Sequence, residues 1–197
     1  VITLTRASGD EFRLVQGLLG FAAAINGEGG VPSREVTAES YPYVVEALRI
    51  NRTLPPGHPT LLNEAVILNH LAWHEAHQPG GYPAAVRHFS SAIAIHKRIG
   101  YRLGHAIALV ELGHLHRHAG ANDAAIDSFQ RGLELAGDVQ DLQAEALAGL
   151  VHCYQDRGDR AMAERLRHAA LSVLAGRHHP GTNRIRAALE DRQAASG

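Results

Sequence analysis

Lysine is almost missing from this chain: Lys97 stands against eighteen arginines. That imbalance reads as genomic compositional bias, not as a binding signal. Cysteine is as scarce. Cys153 is the one thiol in 197 residues, so no intramolecular disulfide can form, which fits a reducing compartment, the cytoplasm. Net charge is close to zero at −1, so no global field draws DNA, RNA or an anionic membrane, and nucleic acid is not an expected partner. No run of about 18 apolar residues exists, and no basic segment followed by an apolar core opens the chain. Neither a membrane span nor a secretory signal is expected. A Walker-type loop, a Rossmann fingerprint and a Gly-x-Ser-x-Gly motif are all missing. Gly27-Glu28-Gly29-Gly30 is an isolated glycine cluster, read as a loop and not as a phosphate cradle. Low-complexity stretches and Gly/Ser linkers are missing too, which predicts one domain over 1–197. The chain opens on Val1 and not on methionine, so a piece of a longer protein is expected.

What is present favours helices. Apolar residues make up 45% and aromatics only 5%, with alanine and leucine prominent. The most informative stretch is Ala106–Leu135, which reads as one helical hairpin. Leu109, Leu112, Gly113 and His116 fall at three- and four-residue steps and share a face. Gly120 can end the helix with a left-handed φ. Asn122 or Asp123 can cap the next helix. Ala125, Phe129, Gly132 and Leu133 form its apolar face. Gly113, Ala125 and Gly132 allow close backbone approach, with Phe129 filling the gap beside them.

The set recurs. Ala72, Gly80, Ala85, Phe89 and Ala92 repeat it upstream. Val151, Gly158, Ala163 and Ala170 repeat it downstream, with Arg167 in the aromatic place. The spacing is 40 residues from Ala85 to Ala125 and 38 from Ala125 to Ala163. This pattern resembles the tetratricopeptide repeat, whose usual period is about 34 residues. The turn Gly57-His58-Pro59-Thr60, before a helix containing Asn69-His70-Leu71-Ala72, resembles the longer repeats of the kinesin-light-chain type. His179-Pro180-Gly181-Thr182 echoes that turn.

The expected fold is therefore all-α: a right-handed superhelical stack of antiparallel helix pairs, about nine helices. Residues 1–56 form a degenerate first hairpin, with Val1–Thr5 a tail and Ser8, Gly9 or Asp10 a cap. Phe12, Val15, Leu18, Leu19 and Ala22 make one face, and Val44, Val45, Ala47 and Leu48 another. Three repeats follow over 57–177, with helices predicted at Thr60–His77, Pro83–Ile99, Leu103–Ala119, Asp123–Ala136, Leu142–Arg157 and Arg160–Ala175. A helix near Thr182–Ala195, within 178–197, caps the open end through Ile185 and Leu189.

The resemblance implies that the first helix of each hairpin lines a concave groove. The groove positions it implies are Asn69, His70, Trp73 and His77, then Val110, Glu111, His114, Arg117 and His118, then Ala148, Gly149, His152, Gln155 and Asp156. Trp73, His114 and His152 hold equivalent places, an aromatic ring and two imidazoles in line. With Glu111 and Asp156 present and no lysine, a carboxylate clamp is not expected; a mixed or basic ligand fits better.

Other chemistry is thin. His70, His74 and His77 share a helical side, and His114 and His118 form an i, i+4 pair. His74-Glu75-Ala76-His77 misses the zincin spacing by one residue, so no metal is expected. Cys153 reads as a small buried hydrophobe with no dyad partner, since adjacent His152 points elsewhere. Seven arginines against two acidic residues between Arg157 and Arg186 read as a solvated face. The expected function is a non-catalytic domain without cofactor, binding a protein or peptide in the groove, as sensor or scaffold of a larger bacterial regulatory protein. A small-molecule sensor, and behind it a helical-repeat enzyme with its pocket near Trp73, are the alternatives.

Overall fold

Asp10 starts the first helix by accepting the Arg13 N–H on its carboxylate at 3.0 Å, so of the three candidate caps it is the one used. The computed structural model describes residues 10–27, 31–176 and 180–194; Val1–Thr5 and His179 lie outside them. Among the described residues there are nine α-helices and no strand. They are α1 (Glu11–Asn26), α2 (Arg34–Asn51), α3 (His58–Ala76), α4 (Tyr82–Arg98), α5 (Arg102–His118), α6 (Asn122–Ala136), α7 (Gln140–Asp156), α8 (Arg160–Val173) and α9 (Pro180–Ala194). The contacts divide the chain into two compact units, 1–101 and 102–197.

In the first unit α2 packs on α1, α3 on α2, and α4 on α3. Val15, Leu18, Leu19 and Ala22 of α1 meet Val44, Ala47 and Ile50 of α2 and Ile67 of α3. Phe12 is only half-buried, and Val45 is exposed on the opposite face of α2. The Gly57–Thr60 turn starts α3, because the Gly57 N–H donates to Thr60 Oγ1 at 2.9 Å.

In the second unit α5 to α8 pack as successive neighbours, and α5 also touches α7. The core joins Val110, Ala125, Phe129, Ala146, Leu150 and Cys153. α9 lies on α7 and α8, with Leu189 buried among Val151, Ala163, Ala170 and Leu174.

The repeat register is visible in burial. Ala85, Phe89 and Ala92 are wholly buried, as are Ala125 and Phe129, and Ala163, Arg167 and Ala170 are at most 4% exposed. Gly80, Gly120 and Gly158 all turn with φ near +75°, where a side chain would be strained. The cap of α6 differs from expectation. Ala121 holds that place with no side-chain bond, and the helix already includes Asn122 and Asp123. Asp123 instead reaches Arg157 at 2.6 Å. Arg167 does not belong to a solvated basic face either. It is buried in the aromatic place of its hairpin, 3.1 Å from Glu164, while Arg186 donates to the Leu174 carbonyl.

Candidate functional site

Phe129 organises the second unit. Its ring enters between Gly113 of α5 and Gly149 of α7. A Cβ at Gly113 would stand 2.7 Å from the ring, and one at Gly149 would collide with it as well. Glycine at both places is thus a packing requirement. Gly149, expected in the groove, is therefore core. The same holds for Val110, which is 1% exposed and seated against Gly132; the close approach that Gly132 permits is filled by its side chain.

The ring edge of Phe129 in turn fixes His114. The two rings meet edge to face at 4.9 Å and 80°. His114 Nε2 then lies 3.4 Å from Glu145 Oε1 on α7, with the two side chains 12% and 22% exposed. Glu111, one turn before His114, has its Oε2 buried with no hydrogen-bond partner among the described residues. Burial first, and the Glu145 charge second, push its pKa up to about 8. Burial thus favours the neutral acid form of Glu111 over the anion expected beside the histidines. The carboxylate facing His114 is Glu145, which sequence reasoning missed. A signal existed: Glu145 precedes His152 by two helical turns, on the same face of α7.

The remaining groove candidates of this unit are spread along the two helices. Arg117 is half-buried and His118 exposed. His152 Nδ1 lies 3.4 Å from Gln155 Oε1, Ala148 is half-buried and Asp156 is exposed. Cys153 is wholly buried, and burial raises its thiol to about 11, so it is no nucleophile at neutral pH.

In the first unit, Trp73 is 4% exposed and meets Phe89 edge to face at 5.6 Å and 81°. It makes the contact that His114 makes with Phe129, so the two hold equivalent places in their hairpins, as the resemblance implied. But a large apolar ring at this place is absorbed by the core, and it presents no face to a ligand. His70 and His77 are likewise engaged within the unit. Asn26 Nδ2 lies 3.0 Å from His70 Nδ1, and His77 Nε2 donates to the Pro32 carbonyl at 2.9 Å. His74 stacks on Tyr41 at 3.7 Å. Three histidines on one helical side thus take three different partners. Asn69 is half-buried. A cavity of about 210 Å³ in this unit is lined by Phe12, Leu54, Pro55, Pro59 and Thr60, away from Trp73 in the chain.

Successive antiparallel hairpins that reuse one set of small and aromatic residues define an all-α helical-repeat protein. Residues 108–143 match the family model of the tetratricopeptide repeat, and the helical repeat architecture around them is consistent with that family. The match covers the half of α5 that carries His114, all of α6, and the start of α7. No curated protein matches the chain. Repeats of this family generally serve as non-catalytic protein-interaction or scaffold units. No helix among the described residues is long and apolar enough to cross a membrane.

Proposed function

We propose that the chain is a non-catalytic protein-interaction domain whose second unit holds a peptide segment against α5 and α7, with His114 at the centre. Its place is the cytoplasm, as the sensor or scaffold part of a larger bacterial regulatory protein. The observation that carries this reading is the coincidence of the family match with a hairpin where a polar ring stands in the place of the buried tryptophan. Arg117, His118, His152, Gln155 and Asp156 supply further polar contacts along the two helices. Asn69, His70 and His77 are the corresponding candidates of the first unit. Trp73 leaves the list, because truncating it empties core and tests folding, not binding.

The test is a pull-down with the chain as bait, followed by cross-link mapping of the captured partner. Cross-links should concentrate on α5 and α7. The His118→Ala/Gln155→Ala variant, altered at outer positions, should bind at least tenfold more weakly if these residues contact an anchor. A footprint confined to α6 and α8, or to the first unit, would overturn the assignment.

A further inference from the structure

The Glu111, His114 and Glu145 cluster has features that ordinary packing does not require. Two carboxyl groups from neighbouring helices stand within electrostatic reach of each other in a shielded place. One of them, Glu111, keeps a buried oxygen with no hydrogen-bond donor among the described residues. A buried acceptor left unmade costs stability that a simple apolar side chain would not. The other, Glu145, has a side chain 22% exposed, so the cluster borders solvent on the Glu145 side. From α5 the group facing Glu145 is His114. From α6 the neighbour of His114 is the Phe129 ring, while Asp123 pairs with Arg157 and Asp127 with Arg131. From α7, His152 is turned to Gln155.

We propose that the second unit takes a cationic side chain, the lysine or arginine of a protein segment, between the carboxyl groups of Glu111 and Glu145. The inference rests on the protein-binding reading above and names the chemistry of the bound segment. Two anions cannot share this place unaided, because like charges at short range raise each other's pKa. An ammonium or guanidinium between them removes that repulsion and donates to the orphaned Glu111 oxygen. Glu111 then gives up its proton to solvent as the cation enters, so one positive charge replaces another. Charge balance is kept, and the partner's affinity rises with pH until Glu111 ionises without it.

The probes are acetylated and amidated tripeptides, Gly-Lys-Gly and Gly-Arg-Gly, with Gly-norleucine-Gly as the uncharged control, titrated into the full chain. Carboxyl carbon resonances of Glu111 and Glu145 are followed by NMR, and proton release by calorimetry in buffers of different ionisation enthalpy. The lysine and arginine peptides should shift both carboxyl signals, move the Glu111 midpoint to lower pH and release protons. The control should do none of this. Glu111→Gln, which keeps the shape of the neutral acid and therefore the fold, should abolish proton release. Equal response to norleucine, or no response to either cation, overturns the proposal. A partner that cross-links to α5 and α7 but binds Glu111→Gln and Glu145→Gln at unchanged affinity also overturns it, and leaves the protein-binding reading standing. A cation response with the partner's footprint elsewhere overturns that reading instead and supports the cation site.

Discussion

The hairpins α3–α4 and α5–α6 are built on one plan and put it to different use. Each sets a ring of its first helix edge-on against a phenylalanine of its second, at 81° in one and 80° in the other. In the first unit that ring is an indole, which the core absorbs. In the second it is an imidazole, whose Nε2 lies 3.4 Å from Glu145 Oε1. A repeat position therefore does not have a fixed role. What stands in it decides whether its side chain is apolar core or brings a polar group beside a carboxylate.

The two phenylalanines give the largest expected effects. Phe89→Ala and Phe129→Ala should each cost about 3–5 kcal/mol, the usual range for truncating a buried aromatic. Phe129 should lie at the upper end. Its ring touches Gly113 and Gly149, which have no side chains to relax into the space, whereas Phe89 has the large Trp73 side chain beside it to close part of the void. Urea unfolding followed by circular dichroism measures both. A loss under about 1 kcal/mol at Phe129 would show that the glycine slot is not a structural feature of the second unit.

The most strongly shifted group of each unit should respond to pH in the opposite direction. His70 is held neutral by burial, with its pKa lowered from 6.5 to about 4. Between these values the unfolded chain binds the extra proton, so the first unit loses stability as pH falls from 6.5 to 4. Glu111 goes the other way, with its pKa raised from 4.5 to about 8. There the folded chain binds the extra proton, so the second unit loses stability as pH rises from 4.5 to 8, and the loss is complete above 8. At about 1.4 kcal/mol per pKa unit, each effect has a ceiling of a few kcal/mol. Fluorescence of Trp73, the single tryptophan, reports the first unit, and amide exchange along α7 reports the second. Glu111→Gln should flatten the second profile and leave the first unchanged.

Much of this was legible in sequence, and the failures have a common cause. Small residues and turn glycines announce themselves, because only glycine tolerates the φ of Gly120 or the contact at Gly113. Thus the helices, their hairpin pairing and the Phe89 and Phe129 register could be read from spacing. Spacing alone does not say how deep a side chain lies. Val110 and Gly149 occupied positions assigned to the groove and are core, because each fills or lines a close approach between helices. Nor does it give ionisation. Glu111 looked like an anion, and Arg167 like a solvated cation, until burial around each was known. Glu145 was overlooked because its importance comes from a helix packed against His114, not from its own neighbours in sequence.

The smallest expected effect separates two acidic residues that sequence treats alike. Asp10 and Asp123 both precede apolar helical runs, and both were candidate caps. Asp10 caps α1 in the structure, accepting the Arg13 N–H on one oxygen while the other lies 3.2 Å from the exposed Arg13 guanidinium. Asp123 lies inside α6 and pairs with Arg157 at 2.6 Å, with side chains 84% and 46% exposed. A cap lost to alanine costs about 0.5–2 kcal/mol, and asparagine restores it, because the bond needs an oxygen and not a charge. An exposed ion pair contributes about 0.2–1 kcal/mol and is screened by salt. The short distance does not change this, since both groups are well hydrated when apart. Asp10→Ala should therefore destabilise more than Asp10→Asn, at any ionic strength. Asp123→Ala and Asp123→Asn should destabilise about equally, and both losses should fade in high salt. Thermal melts of the four variants at low and high salt decide it. If Asp123→Asn behaved as wild type while Asp123→Ala did not, Asp123 would be acting as the cap after all, and α6 would begin two residues later than its backbone shows.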